Sequence, residues 1–202
     1  MEPMAQWLRQ HGYHVVNVDY PSRENTIATL SEAAVSEGLA GCPEAGPAHF
    51  VTHSMGGILV RHYARHEGRQ RIARVVMLAP PNQGSEVVDA YRDVPGFEWL
   101  NGPAGLQLGT DEDSVPLQLG PVEFELGVIA GSETFNPILS QSLPNPDDGK
   151  VSVESTKVDG MVDFLVVPHS HPFIMRAEVV LQQTLHFLQR GQFEAPPPEN
   201  AT

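Results

Sequence analysis

The chain has 202 residues, 41% of them hydrophobic and 18% charged, which is enough apolar material for one folded domain and too little charge for a disordered chain. A formal net charge of −13 at pH 7 sets it against nucleic acid and anionic membrane surfaces, both of which repel an acidic body. The single cysteine, Cys42, excludes an intrachain disulfide and favours a reducing, cytoplasmic setting. No stretch reaches the roughly eighteen apolar residues of a membrane span, and residues 1–10 lack the basic-then-apolar pattern of a secretion signal.

Met4, Trp7, Leu8 and His11 recur at helical spacing ahead of Gly12, so the chain is expected to open on a short helix closed by glycine. Residues 13–20 (YHVVNVDY) are rich in β-branched side chains and run into Pro21, which predicts a first strand. A helix is expected over about 26–38, a loop over 41–47 and a buried strand over 48–52 (AHFVT). From Ser54 the pattern turns abruptly helical, through Ile58, Leu59 and Tyr63 to Gly68. Residues 74–79 (RVVMLA), 124–130 (FELGVIA) and 164–167 read as further strands. A last helix is expected over about 173–189, with Ile174, Ala177, Leu181, Leu185 and Leu188 along one face.

Strands alternating with helices predict an α/β fold, an open and mostly parallel sheet with helices on both faces. One domain is expected over 1–193, followed by a disordered tail, 194–202 (EAPPPENAT). Between two of the strands lies a long irregular stretch, 82–121, rich in Gly, Pro, Asp and Leu. Its length and apolar content mark it as a lid or cap over a pocket, with Phe97 and Trp99 as the expected substrate contacts.

Thr52-His53-Ser54-Met55-Gly56-Gly57 stands where a strand turns into a helix, the setting a nucleophile elbow requires. Such a turn lifts the Ser54 hydroxyl above the sheet edge, and the unpaired N–H groups of the first helical turn let Met55 donate to a developing oxyanion. Thr52 occupies the position of the first glycine in the usual Gly-x-Ser-x-Gly pattern, so the elbow is expected to be tighter than average. A serine nucleophile needs a base, and the base an orienting acid, which in this architecture follow in the order serine, acid, histidine. Asp147-Asp148-Gly149 and His169-Ser170-His171 follow the last two strands in that order. Asp148 is preferred over Asp147 because it adjoins the turn-forming Gly149; Glu86 and Asp89 rank lower because they lie along the cap. His171 is preferred over His169 because it precedes Pro172 and the expected last helix, whose dipole favours a neutral, proton-accepting imidazole. His62 and His66 lie one helical turn apart and read as a solvated face, with no third ligand nearby, so no metal is expected. No phosphate loop or dinucleotide fingerprint is present, and no cofactor is expected.

With HSMGG, APPNQGSE, DDGKVSVES and HPFIM in that order, residues 2–190 resemble the lipase and esterase branch of the α/β-hydrolase superfamily, near a group of small bacterial lipase-like proteins. The resemblance implies a carboxylic-ester hydrolase that passes through an acyl-enzyme and acts on a small acyl ester, with Ser54 as nucleophile, Asp148 as acid and His171 as base. It also implies a strand and a His-Gly loop ahead of the helix that opens at Glu2, the loop carrying a second oxyanion donor. Neither is in this sequence, and the place of that strand falls between 13–20 and 48–52, where two strand edges would be left unpaired. The same triad would serve an acyltransferase or amidase, and the missing loop motivates a contrasting reading, a hydrolase fold that binds a ligand without turning it over.

Overall fold

The structure, a computed structural model, describes residues 1–43, 46–134 and 137–195. Four strands, β1 (Ala48–His53), β2 (Ile72–Leu78), β3 (Leu126–Gly131) and β4 (Asp163–Val167), lie side by side in chain order and all run parallel. Their register places Thr52 beside Met77, Met77 beside Val128 and Val128 beside Phe164. Around the sheet run α1 (Glu2–Gln10), α2 (Ile27–Ala40), α3 (Met55–His66), three short helices α4 (Glu86–Tyr91), α5 (Phe97–Leu106) and α6 (Val115–Gln118), a single turn α7 (Pro137–Ser140), and α8 (Glu178–Arg190).

The near-continuous apolar runs of β2 and β3 are those of strands buried on both faces. Because successive side chains point to opposite sides, Val76, Leu78 and Ile129 pack with Met4 and Leu8 of α1 and Phe187 and Leu188 of α8. Val75, Met77 and Val128 face the other way, onto Val35 and Leu39 of α2 and Val60 of α3. Each such side chain contributes roughly 1.5–3 kcal/mol of burial free energy, so the two central strands anchor everything attached to their ends. Among the described residues no helix is long and apolar enough to cross a membrane.

Sequence and structure part company at the last helix. The run expected over 173–189 is divided into a 3-10 turn at Ile174–Arg176, an extended residue at Ala177 (ψ 131°) and then α8. Ile174 is fully buried in the cluster of α1 and α8, and the break lets it and Val180 enter that core from two separate segments. Glu194 is still tied to α8, its N–H donating to Gln183 Oε1 (2.8 Å), while 196–202 of the expected tail lie outside the described residues.

Instead of an irregular loop, 82–121 forms α4, α5 and α6. Glycine and proline shorten these helices: Gly102, at φ 67°, and Pro103 kink α5 in its middle. Val88, Ala104, Leu108 and Leu119 of this segment pack on Ile27 and Leu30 of α2 and Ile58 and Leu59 of α3. Buried Arg61 of α3 fastens it from below, donating to Asn82 O (2.9 Å), Asn82 Oδ1 (3.1 Å), Pro116 O (3.0 Å) and Gly120 O (2.7 Å). Burial pushes the Arg61 pKa down to about 10, so the guanidinium stays charged at neutral pH and its hydrogen bonds are charge-assisted.

Residues 13–20, expected as a strand, form no regular element and pair with no strand among the described residues. Val16 and Val18 rest on Gly41 and Gly38 at the end of α2. Between this segment and the outer edge of β1 lies an apolar slot of about 550 Å³, walled by Val16 and Val18 on one side and Phe50 and Thr52 on the other. Leu8 of α1 and Leu59 of α3 also line it. Sheet pairing needs a partner at roughly 4.8 Å, and the slot removes it. In hydrogen exchange the amides of Val16 and Val18 should therefore be replaced roughly a thousandfold or more faster than those of Val76 and Val128. Equal protection would show that 13–20 is paired in solution.

Candidate active site

At the end of β1 the chain leaves the sheet through Ser54, whose backbone angles (φ 54°, ψ −129°) put a non-glycine residue in the left-handed half of conformational space. Such a conformation costs on the order of 1–3 kcal/mol and persists only where surroundings enforce it. Here Ser54 N–H donates to Leu78 O at the end of β2 (2.9 Å), and Ser54 O accepts from Gly57 N–H (3.1 Å), which starts α3. Thr52 fits the tight turn because its neighbour on α3 is Gly56: a Cβ there would lie 3.3 Å from Thr52 Cβ.

The loops after β3 and β4 bring two further groups to this edge. His171 Nε2 stands 3.0 Å from Ser54 Oγ, and His171 Nδ1 stands 2.7 Å from Asp148 Oδ2. The other carboxylate oxygen of Asp148 accepts from the N–H groups of Lys150 (2.9 Å) and Val151 (2.8 Å), and its side chain has no solvent exposure. Asp148 also holds the histidine through the main chain, its carbonyl accepting from His171 N–H (2.9 Å). Both loops can approach because β3 ends in Gly131, where a Cβ would lie 2.3 Å from His169 O and 2.9 Å from Asp148 Cβ. That glycine, closing an apolar strand, is a signal that the reading of the sequence left unused.

The competing candidates are engaged elsewhere. Asp147 is buried too, but it accepts from Gly149 N–H (2.7 Å) and Ser140 Oγ–H (2.6 Å). Asp89 takes Arg92 and Thr110, and Glu86 takes Ser155. His171 does not sit at the N-terminus of a long helix, as expected; a 3-10 turn follows it, so the contacts of Asp148 orient its imidazole instead of a helix dipole. Met55 opens α3, within the first turn whose N–H groups have no intrahelical acceptor. Phe97 and Met55 both pack on the cluster joining α4 to α6 with α2 and α3, whereas Trp99 of α5 is 78% exposed. His62 and His66 stack with ring centroids 4.3 Å apart, and no group of three metal-ligating side chains occurs among the described residues.

Next to the serine, His53 turns its Nε2 to the His171 carbonyl (2.9 Å), with the two rings 4.7 Å apart. Burial, followed by the charge of a protonated His171, pushes the His53 pKa from 6.5 down to about 3, against the opposing pull of the His171 carbonyl and Asp148. The unfolded chain therefore binds this proton from pH 6.5 downward and the folded one only near pH 3, so the contribution is lost on acidification through that window. Thermal unfolding from pH 7 to pH 3.5 should show a shallower fall in Tm for His53→Gln than for the parent. Identical slopes would mean that His53 titrates alike in both states.

An uncharged imidazole beside a serine hydroxyl, backed by a fully buried carboxylate, can withdraw the hydroxyl proton as oxygen attacks an electrophile. The fold carrying this arrangement has counterparts among solved structures. A mature lipase of Bacillus licheniformis superposes with a TM-score of 0.71 at 16% identity, covering 93% of this chain and 83% of that one. A metagenomic carboxyl esterase superposes at 0.65 with 19% identity, covering 85% of this chain and 58% of the esterase. For a Staphylococcus hyicus lipase the values are 0.61 and 12%, covering 92% and 86%. No curated protein sequence matches the chain significantly. The model of the alpha/beta hydrolase family matches residues 2–179, which is most of the length, and the chain belongs to that family.

Proposed function

We propose that the protein is a serine carboxylic-ester hydrolase. The observation that carries this reading is the unbroken path from Ser54 Oγ through His171 to the buried Asp148, with spacings of 3.0 and 2.7 Å. Folding of three separate strand ends into one hydrogen-bonded line of serine, imidazole and carboxylate meets the geometric demand of acyl transfer. Solved structures of similar fold include lipases and a carboxyl esterase. The net charge of −13 favours neutral substrates over anionic ones.

In this reading His171 Nε2 takes the Ser54 proton while Oγ forms its bond to the acyl carbon, and the carbonyl electrons move onto oxygen toward the Met55 N–H. Collapse of that intermediate breaks the bond to the alkoxy group, which leaves as the alcohol with the proton returned by His171. Water then repeats the cycle: His171 takes its proton, the hydroxyl attacks the acyl-enzyme, and Ser54 leaves with the proton restored. Asp148 keeps the Nδ1 proton in place throughout and stabilises the imidazolium.

Hydrolysis of a short-chain p-nitrophenyl ester should fall by roughly 10⁴-fold or more in Ser54→Ala and in His171→Ala, while His169→Ala keeps a measurable fraction. A fluorophosphonate should label Ser54; labelling of Ser85 or Ser170 instead would sink the assignment. Absence of turnover and of labelling in the parent would favour a ligand-binding role for this site. The cap supplies a second test. Phe97, which shares a packed cluster with Met55, is assigned to the acyl chain, and outward-facing Trp99 is not. Chain-length preference across a series of p-nitrophenyl esters should shift in Phe97→Ala and stay put in Trp99→Ala; the opposite pattern would place the acyl chain against the outer cap surface.

A further inference from the structure

The contacts of His171 divide into two sets with different origins. Its N–H and its Nδ1 are both held by Asp148, through carbonyl and carboxylate respectively. A residue held from one side only can swing about that side, carrying its ring away from Ser54. The opposite side is held by the end of β1: the His171 carbonyl meets His53 Nε2 at 2.9 Å, and His171 Nε2 meets Ser54 Oγ at 3.0 Å. His53 and Ser54 are consecutive, so the group that grips the His171 main chain and the group that receives its imidazole are carried on one strand end. Ring contact adds to the grip, the His53 and His171 centroids lying 4.7 Å apart at 46°.

We propose that His53 is a positioning residue for the base: by donating from Nε2–H to the His171 carbonyl, it fixes the imidazole at the spacing from which Ser54 is deprotonated. The inference rests on the reading of Ser54 and His171 as nucleophile and base. It requires the tautomer with the proton on Nε2, since a carbonyl can only accept. It also requires an uncharged ring, because a second cation at this distance would oppose formation of the His171 imidazolium. Of the charged groups acting on His53, His171 and Lys150 add to burial in keeping the ring neutral, and together they outweigh Asp148 and the His171 carbonyl. A misplacement of about 1 Å in such a site can cost on the order of a hundredfold in rate, which sets the scale of the effect.

Two substitutions separate positioning from packing. His53→Leu fills space without a donor, and His53→Gln restores a donor nitrogen at about the reach of Nε2 without a titrating ring. In the leucine variant kcat should fall about ten- to a hundredfold with KM within about twofold, and fluorophosphonate labelling should slow by a similar factor. The glutamine variant should recover most of both. Wild-type kcat in the leucine variant would overturn the proposal, as would equal losses in the two variants that track a smaller folded fraction. A second measurement needs no turnover: the low-field proton resonance of His171 Nδ1, shared with Asp148, should broaden or vanish in His53→Leu and return in His53→Gln. An unchanged resonance in the leucine variant would refute the positioning role. If the parent shows the resonance yet hydrolyses no ester, the esterase reading fails, while the resonance still decides what His53 does.

Discussion

Ser54 is held in a backbone conformation that its side chain disfavours, and the rest of the site is arranged around that constraint. The left-handed turn at φ 54° costs on the order of 1–3 kcal/mol, as much as or more than a single hydrogen bond returns. It persists because β1 is tied to β2 on one side and α3 is packed into two apolar clusters on the other. Relaxing the turn would pull Ile58, Leu59 or Val60 out of those clusters, at roughly 1.5–3 kcal/mol for each side chain. The strain is thus confined to one residue by burial several residues away, and the hydroxyl is presented at the carboxyl end of the sheet.

A parallel sheet then makes the remaining geometry economical. All four strands end at the same edge, so the loops after β1, β3 and β4 meet there without any long excursion. Gly131 removes the one side chain that would stand between the Asp148 and His169 loops. Asp148 is then free to act twice on His171, through main chain and side chain, while its second oxygen is saturated by two backbone N–H groups. A carboxylate without solvent exposure tolerates its charge only with such partners, so the acid and the loop that carries it stabilise one another.

The helices of 82–121 and the slot show opposite ways of completing a sheet of this kind. On the α2 and α3 side, helices α4 to α6 bring apolar side chains to the cluster, and Arg61 donates to four acceptor atoms there, three of them in buried contacts. Beside β1, by contrast, segment 13–20 stands apart from the sheet across an apolar slot, and its main chain finds no strand partner among the described residues. Helices α4 to α6 gain from burial what the outer edge of β1 lacks.

Much of the architecture could be read from the residues alone, because its signals are local. The change from a period of two to a period of 3.6 within two residues of Ser54 announces the elbow, and four apolar runs locate the ends of β1 to β4 to within two residues. Order along the chain also narrowed the partners of Ser54 to two adjacent aspartates and two nearby histidines. Which member of each pair turns inward was a tertiary matter: Asp147 and Asp148 differ chiefly in the direction of their side chains, and only the packing of two loops over Gly131 separates them. The same holds for 13–20, whose composition is that of a strand although pairing depends on a neighbour distant in sequence, and for 173–189, where burial of Ile174 overrides a good helical period. The grip of His53 on His171 is likewise invisible in the sequence, since it joins residues 118 positions apart. Local periodicity determined the elements and their order; long-range packing decided which edges pair, which carboxylate meets the histidine and how the histidine is held.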